Sequence, residues 1–158
     1  MNKQLKKIGF TIGKFAPLHK GHQYLIEKAL KEMDEFYIIV YETNLIKNNI
    51  EERADWIRNL YPKTKILYAY NPPSKYGLDE ESVKIQIEYL KQIIKDIPVT
   101  HFYSSEKYGK YVAKYMNVVD ERVDQKRIHV PITATEIRKN IEENKEFVEN
   151  IVYKDIEK

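Results

Sequence analysis

Hydrophobic residues fall into two patterns that alternate along the chain. Short, nearly unbroken apolar runs occur at residues 8–12, 35–41, 64–70, 99–103 and 118–119. Such runs, rich in isoleucine, valine and tyrosine, are typical of parallel strands that are covered on both faces. Between the runs, apolar residues recur at every third or fourth position, which indicates helices. The pattern therefore predicts five strands that alternate with helices.

Several of the predicted helices have clear ends. Pro62 stops a helix over residues 50–60, and Pro98 stops a longer one over residues 79–97. Another helix follows residues 13–22, one carries Tyr111, and one begins at Thr133. Residues 140–158 are expected to form one or two amphipathic helices that pack against the rest of the chain.

This alternation predicts an α/β fold, a Rossmann-like doubly wound sheet of about five parallel strands with C-terminal helices. The length of 158 residues fits one domain over residues 1–158, with residues 140–158 as a C-terminal helical packing segment. In such sheets ligands bind beyond the carboxyl ends of the strands, where the strand order reverses. Functional residues are therefore expected in the segments that follow the strands.

The segment that joins the first strand to the first helix reads Gly-Lys-Phe-Ala-Pro-Leu-His-Lys-Gly-His over residues 13–22. A helix start presents unpaired backbone N–H groups and the positive end of the helix dipole, and two imidazoles and a lysine stand beside this one. These features predict a phosphate site. It is not a Walker loop, because only three residues separate Gly9 from Gly13 and Phe15 follows Lys14.

A second helix start with phosphate-binding character lies near residue 133. Thr133 and Glu136 have the spacing of a capping box, and Thr135 adds another hydroxyl. Arg138 lies within side-chain reach of a phosphate at this helix start, and an arginine fork binds phosphate oxygens in pairs. Alone, each of these residues is more often an ordinary cap or a surface charge. The two helix starts together favour a functional interpretation.

Three further residues have two interpretations each. Arg53 and Trp56 are three positions apart on a predicted helix and share a face, so both could contact a ligand. Alternatively, Trp56 packs in the core and Arg53 is solvated. Ser105 follows the fourth strand, where it either lines the site or caps the next helix.

Composition narrows the classes of partner. A balance of 27 basic against 24 acidic side chains gives a formal charge of +3, too slight for a nucleic-acid interface but compatible with small anionic ligands. The absence of cysteine excludes disulfides, cysteine-zinc sites and thiol nucleophiles. The apolar stretch after the basic residues 1–7 is too short for a signal peptide or a membrane span. We expect a cytoplasmic protein with small-molecule partners and neither nucleic-acid nor membrane binding; a homo-oligomer is compatible with this composition.

The His-Lys-Gly-His motif after its Gly-Lys-Phe turn resembles the signature of the nucleotidylyltransferase superfamily. Further matching segments follow in order along the chain: Arg53-x-x-Trp56, Ser104-Ser105-Glu106, Val123-Asp124 with Lys126-Arg127, and residues 132–138. This series resembles nicotinamide-nucleotide adenylyltransferases of the bacterial bifunctional-regulator type. The resemblance spans most of the chain and implies the adenylyltransferase module alone, with the nucleotidylyltransferase fold. The chain departs from the family at Thr133, where serine is commoner, and residues 71–81 have no clear match.

The resemblance implies an enzyme that transfers AMP from ATP to nicotinamide mononucleotide, with ATP and Mg²⁺ required and no metal ligand from the protein. It implies three groups of site residues. The catalytic residues are His19, His22, Lys14 and Arg138. The ATP-binding residues are Gly13, Phe15, Gly21, Ser105, Asp124, Thr133 and Thr135. The acceptor-binding residues are Arg53 and Trp56.

Alternative functions remain open at this point. The acceptor could be pantetheine phosphate, nicotinate mononucleotide, FMN or a phospho-alcohol. Pantetheine-phosphate adenylyltransferases usually carry threonine at the position of His19, and phospho-alcohol cytidylyltransferases carry an Arg-Thr-x-Gly-Ile-Ser-Thr element that does not precede Glu136. The chain could also be a nucleotide-sensing module without turnover.

Overall fold

The computed structural model describes residues 5–74 and 77–157. Within these residues the chain forms one parallel sheet with helices on both faces. The strands are β1 Ile8–Gly13, β2 Glu35–Tyr41, β3 Lys65–Ala69, β4 His101–Ser104 and β5 Val119–Arg122. The helices are α1 Lys20–Glu32, α2 Ile50–Leu60, α3 Glu80–Ile94, α4 Gly109–Met116, α5 Ala134–Lys139 and α6 Asn150–Glu157, and a 3-10 turn spans Lys145–Phe147.

The strand order is β3-β2-β1-β4-β5, so β1 lies at the centre of the sheet. The chain first moves outward from β1 to β3 and then crosses back to place β4 on the other side of β1. In register, Gly13 lies opposite Val40 of β2, and Phe10 lies opposite Phe102 of β4. The strand order therefore reverses between β1 and β4, and the predicted doubly wound fold is confirmed.

Two apolar clusters cover the two faces of the sheet. Successive side chains of a strand point to opposite faces, so Ile38 of β2 packs in one cluster and Ile39 in the other. The first cluster takes residues from α1, α2, α5 and α6, and the second takes residues from α3 and α4. This two-sided burial explains why the strands read as unbroken apolar runs.

Some predicted boundaries differ from the structure. The third helix ends at Ile94 and not at residue 97, because Lys95 adopts a positive φ of 50° and breaks the helical path before Pro98. The fifth strand covers Val119–Arg122 and so extends three residues beyond the apolar run 118–119 that predicted it. The apolar pattern did not predict the rest of this strand because its residues are charged. Charged side chains are tolerated in β5 because it is an edge strand of the sheet.

The C-terminal part contributes to the first apolar cluster. After α5 the chain forms a 3-10 turn and then α6, whose Val152 is fully buried in the first cluster. In the described part of the chain every helix is too short or too polar to span a bilayer. Residues 75 and 76, within the unmatched segment 71–81, lie outside the described residues, as do residues 1–4 and 158.

Candidate active site

A cavity of about 560 Å³ opens beyond the carboxyl ends of β1 and β4, where the strand order reverses. The residues after β1, the start of α1 and the start of α5 all contribute to its wall. Most of the sequence-predicted site residues line it: Gly13, Lys14, Phe15, His19, Gly21, His22, Ser105, Asp124, Thr133, Thr135 and Arg138. The structure thus brings together two segments more than one hundred residues apart in sequence.

His19 and His22 cap the helix on which they stand. His19 is the N-cap of α1, and its Nδ1 accepts the backbone N–H of Gly21 at 3.0 Å. In return, Nδ1 of His22 accepts the backbone N–H of His19 at 3.1 Å. The two rings stack with their centroids 3.7 Å apart. This reciprocal arrangement is a capping box built from two imidazoles.

The capping bonds determine the tautomer of each ring. A neutral imidazole has one acceptor and one donor nitrogen, and in both residues Nδ1 is the acceptor. The ring proton must therefore be on Nε2 in His19 and in His22. Each ring lines the cavity, and Nε2–H is the one donor that the backbone leaves available. The pair can donate two hydrogen bonds to an anion.

Both imidazoles are held in the neutral form. Burial, with a smaller contribution from the charge of Arg127, lowers the pKa of His19 to about 4. Burial, then the neighbouring His19 and then Arg127, lowers the pKa of His22 well below its ordinary value. At neutral pH the site therefore offers uncharged donors, and the capping bonds that require an unprotonated Nδ1 persist.

Gly21 leaves the space that the ring of His19 occupies. A Cβ atom at position 21 would lie 2.8 Å from Cε1 and 3.0 Å from Nδ1 of His19. Gly13 likewise leaves space for the ring of Phe15, which a Cβ there would approach to 3.0 Å. Both glycines were expected to bind ATP. The structure adds that each makes room for an aromatic ring of the site itself.

The loop of residues 13–16 has an unusual backbone. Phe15 is buried and has a positive φ of 50°, a region that costs a non-glycine residue roughly 1–3 kcal/mol. Its ring meets the ring of His22 edge to face, with 4.8 Å between centroids. On either side of Phe15, the carbonyl of Lys14 accepts a hydrogen bond from Arg53, and the carbonyl of Ala16 accepts one from Arg138. We call residues 13–16 the Phe15 loop.

The second helix start is more exposed. Thr133 is the N-cap of α5, as its spacing to Glu136 predicted, and its Oγ1 accepts the backbone N–H of Glu136 at 3.2 Å. Arg138 donates from Nη1 to the carbonyl of Ala16 at 2.8 Å and from Nη2 to the hydroxyl of Thr135 at 3.2 Å. Through Arg138, α5 is thus tied directly to the Phe15 loop.

The carboxylate of Asp124 is bound by backbone N–H groups of the loop that follows it. Its carboxylate accepts the backbone N–H groups of residues 128, 129 and 130 at 2.8 to 3.0 Å. Partial burial acts to raise the pKa of this carboxyl, but the three backbone donors outweigh it and the pKa is lowered. Asp124 lines the cavity, yet these bonds show that it shapes the loop before α5.

Arg127 is a site residue to which the sequence assigned no role. It lines the cavity, donates from Nη1 to the carbonyl of Ile132 at 3.2 Å and pairs through Nη2 with Glu106 at 3.2 Å. Its charge also contributes to the low pKa of both histidines. The basic pair at 126–127 is visible in the sequence. The positive φ of 53° that orients Arg127 could not be predicted from it.

The two residues expected to bind the acceptor are not part of the cavity wall. Trp56 is only 2% exposed, and its Nε1–H donates to Asp155 of α6 at 2.8 Å. Arg53 is 0% exposed and donates to backbone carbonyls. The indole therefore packs in the core, as the alternative interpretation had it. Arg53 fits neither interpretation, since it is neither solvated nor at the cavity surface.

Ser105 and the carboxylates define the remaining wall. Ser105 lines the cavity and does not cap α4, whose N-cap is Tyr108 without a side-chain bond.

Among the described residues no three histidine or acidic side chains are grouped to hold a metal ion. Asp124 is engaged by backbone N–H groups and Glu106 by Arg127. This donor set does not fit a protein-held Mg²⁺.

The chain is similar in sequence or fold to several known proteins. A model of the cytidylyltransferase-like family matches residues 10–140. The trifunctional NAD biosynthesis/regulator protein NadR of Escherichia coli is 28% identical over an alignment of 156 positions, which covers 87% of this chain and 38% of that protein. This chain therefore spans well under half the length of that relative.

Two further proteins are similar to this chain, one over part of its sequence and one in fold. The phosphopantetheine adenylyltransferase of Fusobacterium nucleatum subsp. nucleatum is 41% identical over 58 residues, 35% of this chain and 35% of that one. The crystal structure of a NadR protein in complex with NAD and AMP-PNP matches with a TM-score of 0.60 at 23% identity, over 90% of this chain and 44% of that one. The latter similarity is one of fold.

Proposed function

The chain belongs to the cytidylyltransferase-like family and is a nucleotidyltransferase; from this premise we propose that it transfers AMP from ATP to nicotinamide mononucleotide. The products would be NAD and pyrophosphate. The observation that carries the proposal is the neutral, stacked pair of His19 and His22, whose Nε2–H donors belong to the cavity at the switch in strand order. A fixed donor pair of this kind suits the charge that develops on phosphate oxygens during transfer.

The proposed reaction is an in-line displacement at the α-phosphorus of ATP. A phosphate oxygen of the mononucleotide forms the new P–O bond, and the bond from the α-phosphorus to the oxygen that bridges to the β-phosphorus breaks. The electron pair of that bond leaves with pyrophosphate. The attacking phosphate is already anionic near neutral pH, since the second pKa of a phosphate monoester is about 6. No general base is required, and catalysis depends on alignment and charge stabilisation.

The cavity residues are assigned roles on this basis. His19 and His22 donate hydrogen bonds to the α-phosphate and the leaving pyrophosphate. Lys14 and Arg138 supply positive charge near the transferred group. The remaining assigned residues contact ATP at its phosphates, ribose or base: Gly13, Phe15, Gly21, Ser105, Thr133 and Thr135.

Mg²⁺ would enter with ATP. It would be held mainly by the nucleotide and not by protein side chains, as is common for this ion. Its contribution would be to neutralise charge on the triphosphate. The protein's part is to bind the phosphates with the donors and cations described above.

Nicotinamide mononucleotide is the acceptor favoured by the relatives. The Escherichia coli relative is named for NAD biosynthesis, and NAD and AMP-PNP occupy the crystal structure of the NadR protein. Pantetheine phosphate is the second candidate, because the Fusobacterium nucleatum enzyme is 41% identical over 58 residues. His19 argues for the first, since enzymes of the second kind usually have threonine there.

A substrate panel tests the proposal. Purified protein with ATP and Mg²⁺ is incubated in turn with nicotinamide mononucleotide, nicotinate mononucleotide, pantetheine phosphate and FMN. The products are separated by chromatography and identified by mass spectrometry. We expect NAD and pyrophosphate as the dominant products. Faster turnover with another acceptor would reassign the substrate, whereas ATP binding without product in any reaction would favour a sensing module.

A further inference from the structure

Arg53 is one of the most deeply buried side chains in the described part of the protein, with 0% exposure. It stands on α2 and reaches three separate segments of backbone. Its Nε donates to the carbonyl of Asn48 at 3.1 Å, and its Nη1 donates to the carbonyl of Tyr41 at 3.0 Å and also to that of Lys14. One guanidinium therefore joins the end of β2, the start of α2 and the Phe15 loop.

This guanidinium is buried without an acidic partner. Every acceptor of Arg53 in the described residues is a backbone carbonyl, and its Nη2 has no hydrogen-bond partner there. Burial lowers the pKa of Arg53, and the charge of Glu42 partly opposes this effect. A guanidinium stays protonated at neutral pH even so. The protein thus keeps a positive charge in its interior without a carboxylate hydrogen-bonded to it.

Such an arrangement is a poor way to gain stability. Replacing buried charged groups with well-packed apolar side chains of similar volume is often neutral or stabilising. A methionine or leucine could fill the same space between α2 and the sheet without desolvating a charge. What an apolar side chain cannot do is bind three carbonyls at fixed positions. The geometry therefore points to the carbonyls as the reason for the arginine.

The carbonyl of Lys14 is the one that reaches the candidate active site. It directly precedes Phe15, whose positive φ of 50° needs support from its surroundings. Arg138 holds the carbonyl of Ala16 on the other side of Phe15, but Arg138 is only partly buried, whereas Arg53 is completely buried. Arg53 is accordingly the more permanent of the two supports.

We propose that Arg53 is a positioning residue that holds the Phe15 loop in its active shape through the carbonyl of Lys14. The role rests on the proposed function, since the loop carries Lys14 and places the ring of Phe15 against His22. Without Arg53 the loop would relax toward a backbone with negative φ at Phe15. Lys14 and the donor pair would then be misaligned, and a displacement of about 1 Å can cost on the order of 100-fold in rate.

The test compares Arg53→Met and Arg53→Lys with Arg58→Met. Arg58 lies on the same helix, is exposed and pairs with Asp55, so its loss controls for removal of an arginine from α2. Three quantities are measured for each protein: the melting temperature, kcat and KM for ATP, and amide hydrogen exchange of residues 14–16 without substrates.

For Arg53→Met we expect faster exchange at residues 14–16 and a fall in kcat of about 10- to 100-fold, with a smaller change in KM for ATP. Arg53→Lys should recover part of kcat, because an ammonium can still donate to the Lys14 carbonyl. Arg58→Met should resemble the unmodified protein. The proposal is overturned if Arg53→Met melts at a lower temperature but keeps the kcat and the loop exchange of Arg58→Met.

The test still gives a clear answer if Arg53→Met does not fold or if the unmodified protein has no activity. If Arg53→Met does not fold, Arg53→Lys carries the comparison: a lower kcat and faster loop exchange at an unchanged melting temperature support the proposal, and unchanged values overturn it. If the unmodified protein turns over none of the acceptors, the proposed function fails. Hydrogen exchange still decides whether Arg53 holds the loop, because that measurement needs no substrate.

Discussion

The two helix starts that meet at the cavity are built in opposite ways. At α1, a helix of 13 residues, His19 is 3% exposed, and the two donors are neutral, stacked and fixed by backbone bonds. At α5, a helix of six residues, Thr135 is exposed, and the cation Arg138 is tied to a loop carbonyl and a hydroxyl.

This difference separates two tasks. Neutral donors can be buried permanently, because they carry no charge to desolvate and their capping bonds stabilise the helix. A cation at a partly exposed position can exchange its carbonyl and hydroxyl partners for ligand oxygens. We therefore expect α1 to determine the rate of the chemical step and α5 to contribute mainly to ATP affinity. The following changes test that division, beginning with the largest expected effect.

Replacing His19 by asparagine should remove the donor and keep the cap. Asparagine is among the best N-cap residues, so α1 should start normally. Loss of one preorganised donor to a developing oxyanion lowers kcat by about 100- to 1,000-fold. Steady-state kinetics and thermal melting measure both effects. The matched control is Asn49→Ala, which removes the side-chain cap of α2 and should lower the melting temperature without reducing kcat.

An unchanged kcat in His19→Asn, together with a clear loss of stability, would mean that the imidazole serves the helix alone. The asymmetry between α1 and α5 would then be structural and not functional.

Gly21→Ala should lower kcat by about 100-fold, because the new Cβ would lie 2.8 Å from Cε1 of His19 and displace that ring. Gly9→Ala is the matched control: its Cβ would lie 2.8 Å from Cγ of Met33, at the opposite end of β1. Kinetics and melting curves of the two variants should diverge, with stability affected in both and turnover only in Gly21→Ala. Equal losses of turnover would contradict this assignment.

The neutral histidines should make stability depend on pH. His19 has a folded-state pKa of about 4, below the unfolded value of 6.5, so the unfolded chain binds more protons between these limits. Stability should therefore fall as pH decreases through this window. The expected loss between pH 7 and pH 5 is about 2 kcal/mol for His19 alone. Denaturant unfolding at the two pH values should show a smaller loss in His19→Asn, and an equal loss would exclude His19 as the cause.

Arg138→Lys should have the smallest effect, raising KM for ATP by about 10-fold with little change in kcat or melting temperature. Lysine keeps the charge but loses the fork that now joins Ala16 and Thr135. Lys139→Ala, at the exposed neighbouring position, is the control and should leave KM unchanged. A fall in kcat as large as that of His19→Asn would contradict the proposal that α1 determines the rate of the chemical step and α5 the affinity for ATP.

The fold was predictable from the sequence because burial on both faces leaves a strong local pattern. The second strand and second helix were predicted to the residue at 35–41 and 50–60. The fifth strand was not, because an edge strand can carry charged residues such as Asp120 and Arg122. Local patterns identify central elements, and pairing across the sheet decides the peripheral ones.

Most residues that line the cavity could be predicted from sequence motifs, but their contacts could not. Motif spacing identified His19, His22 and Arg138, yet nothing in the spacing indicated that the histidines cap α1 through Nδ1. The position of Arg53 depends on three backbone carbonyls from other segments of the chain. Helical spacing therefore predicted on which face of the helix Arg53 lies, but not which groups it binds. Arg127 belonged to a matching segment but was given no role, because the positive φ that orients it leaves no mark in the sequence.

The burial of Trp56 has a practical consequence for solution work. It is the single tryptophan of the chain, and its indole joins α2 to α6 through Asp155. Intrinsic fluorescence excited at the red edge of the absorption band will therefore report whether the C-terminal helix is docked. Changes at the nucleotide cavity should leave that emission nearly constant, so titrations with ATP require an extrinsic fluorophore or calorimetry.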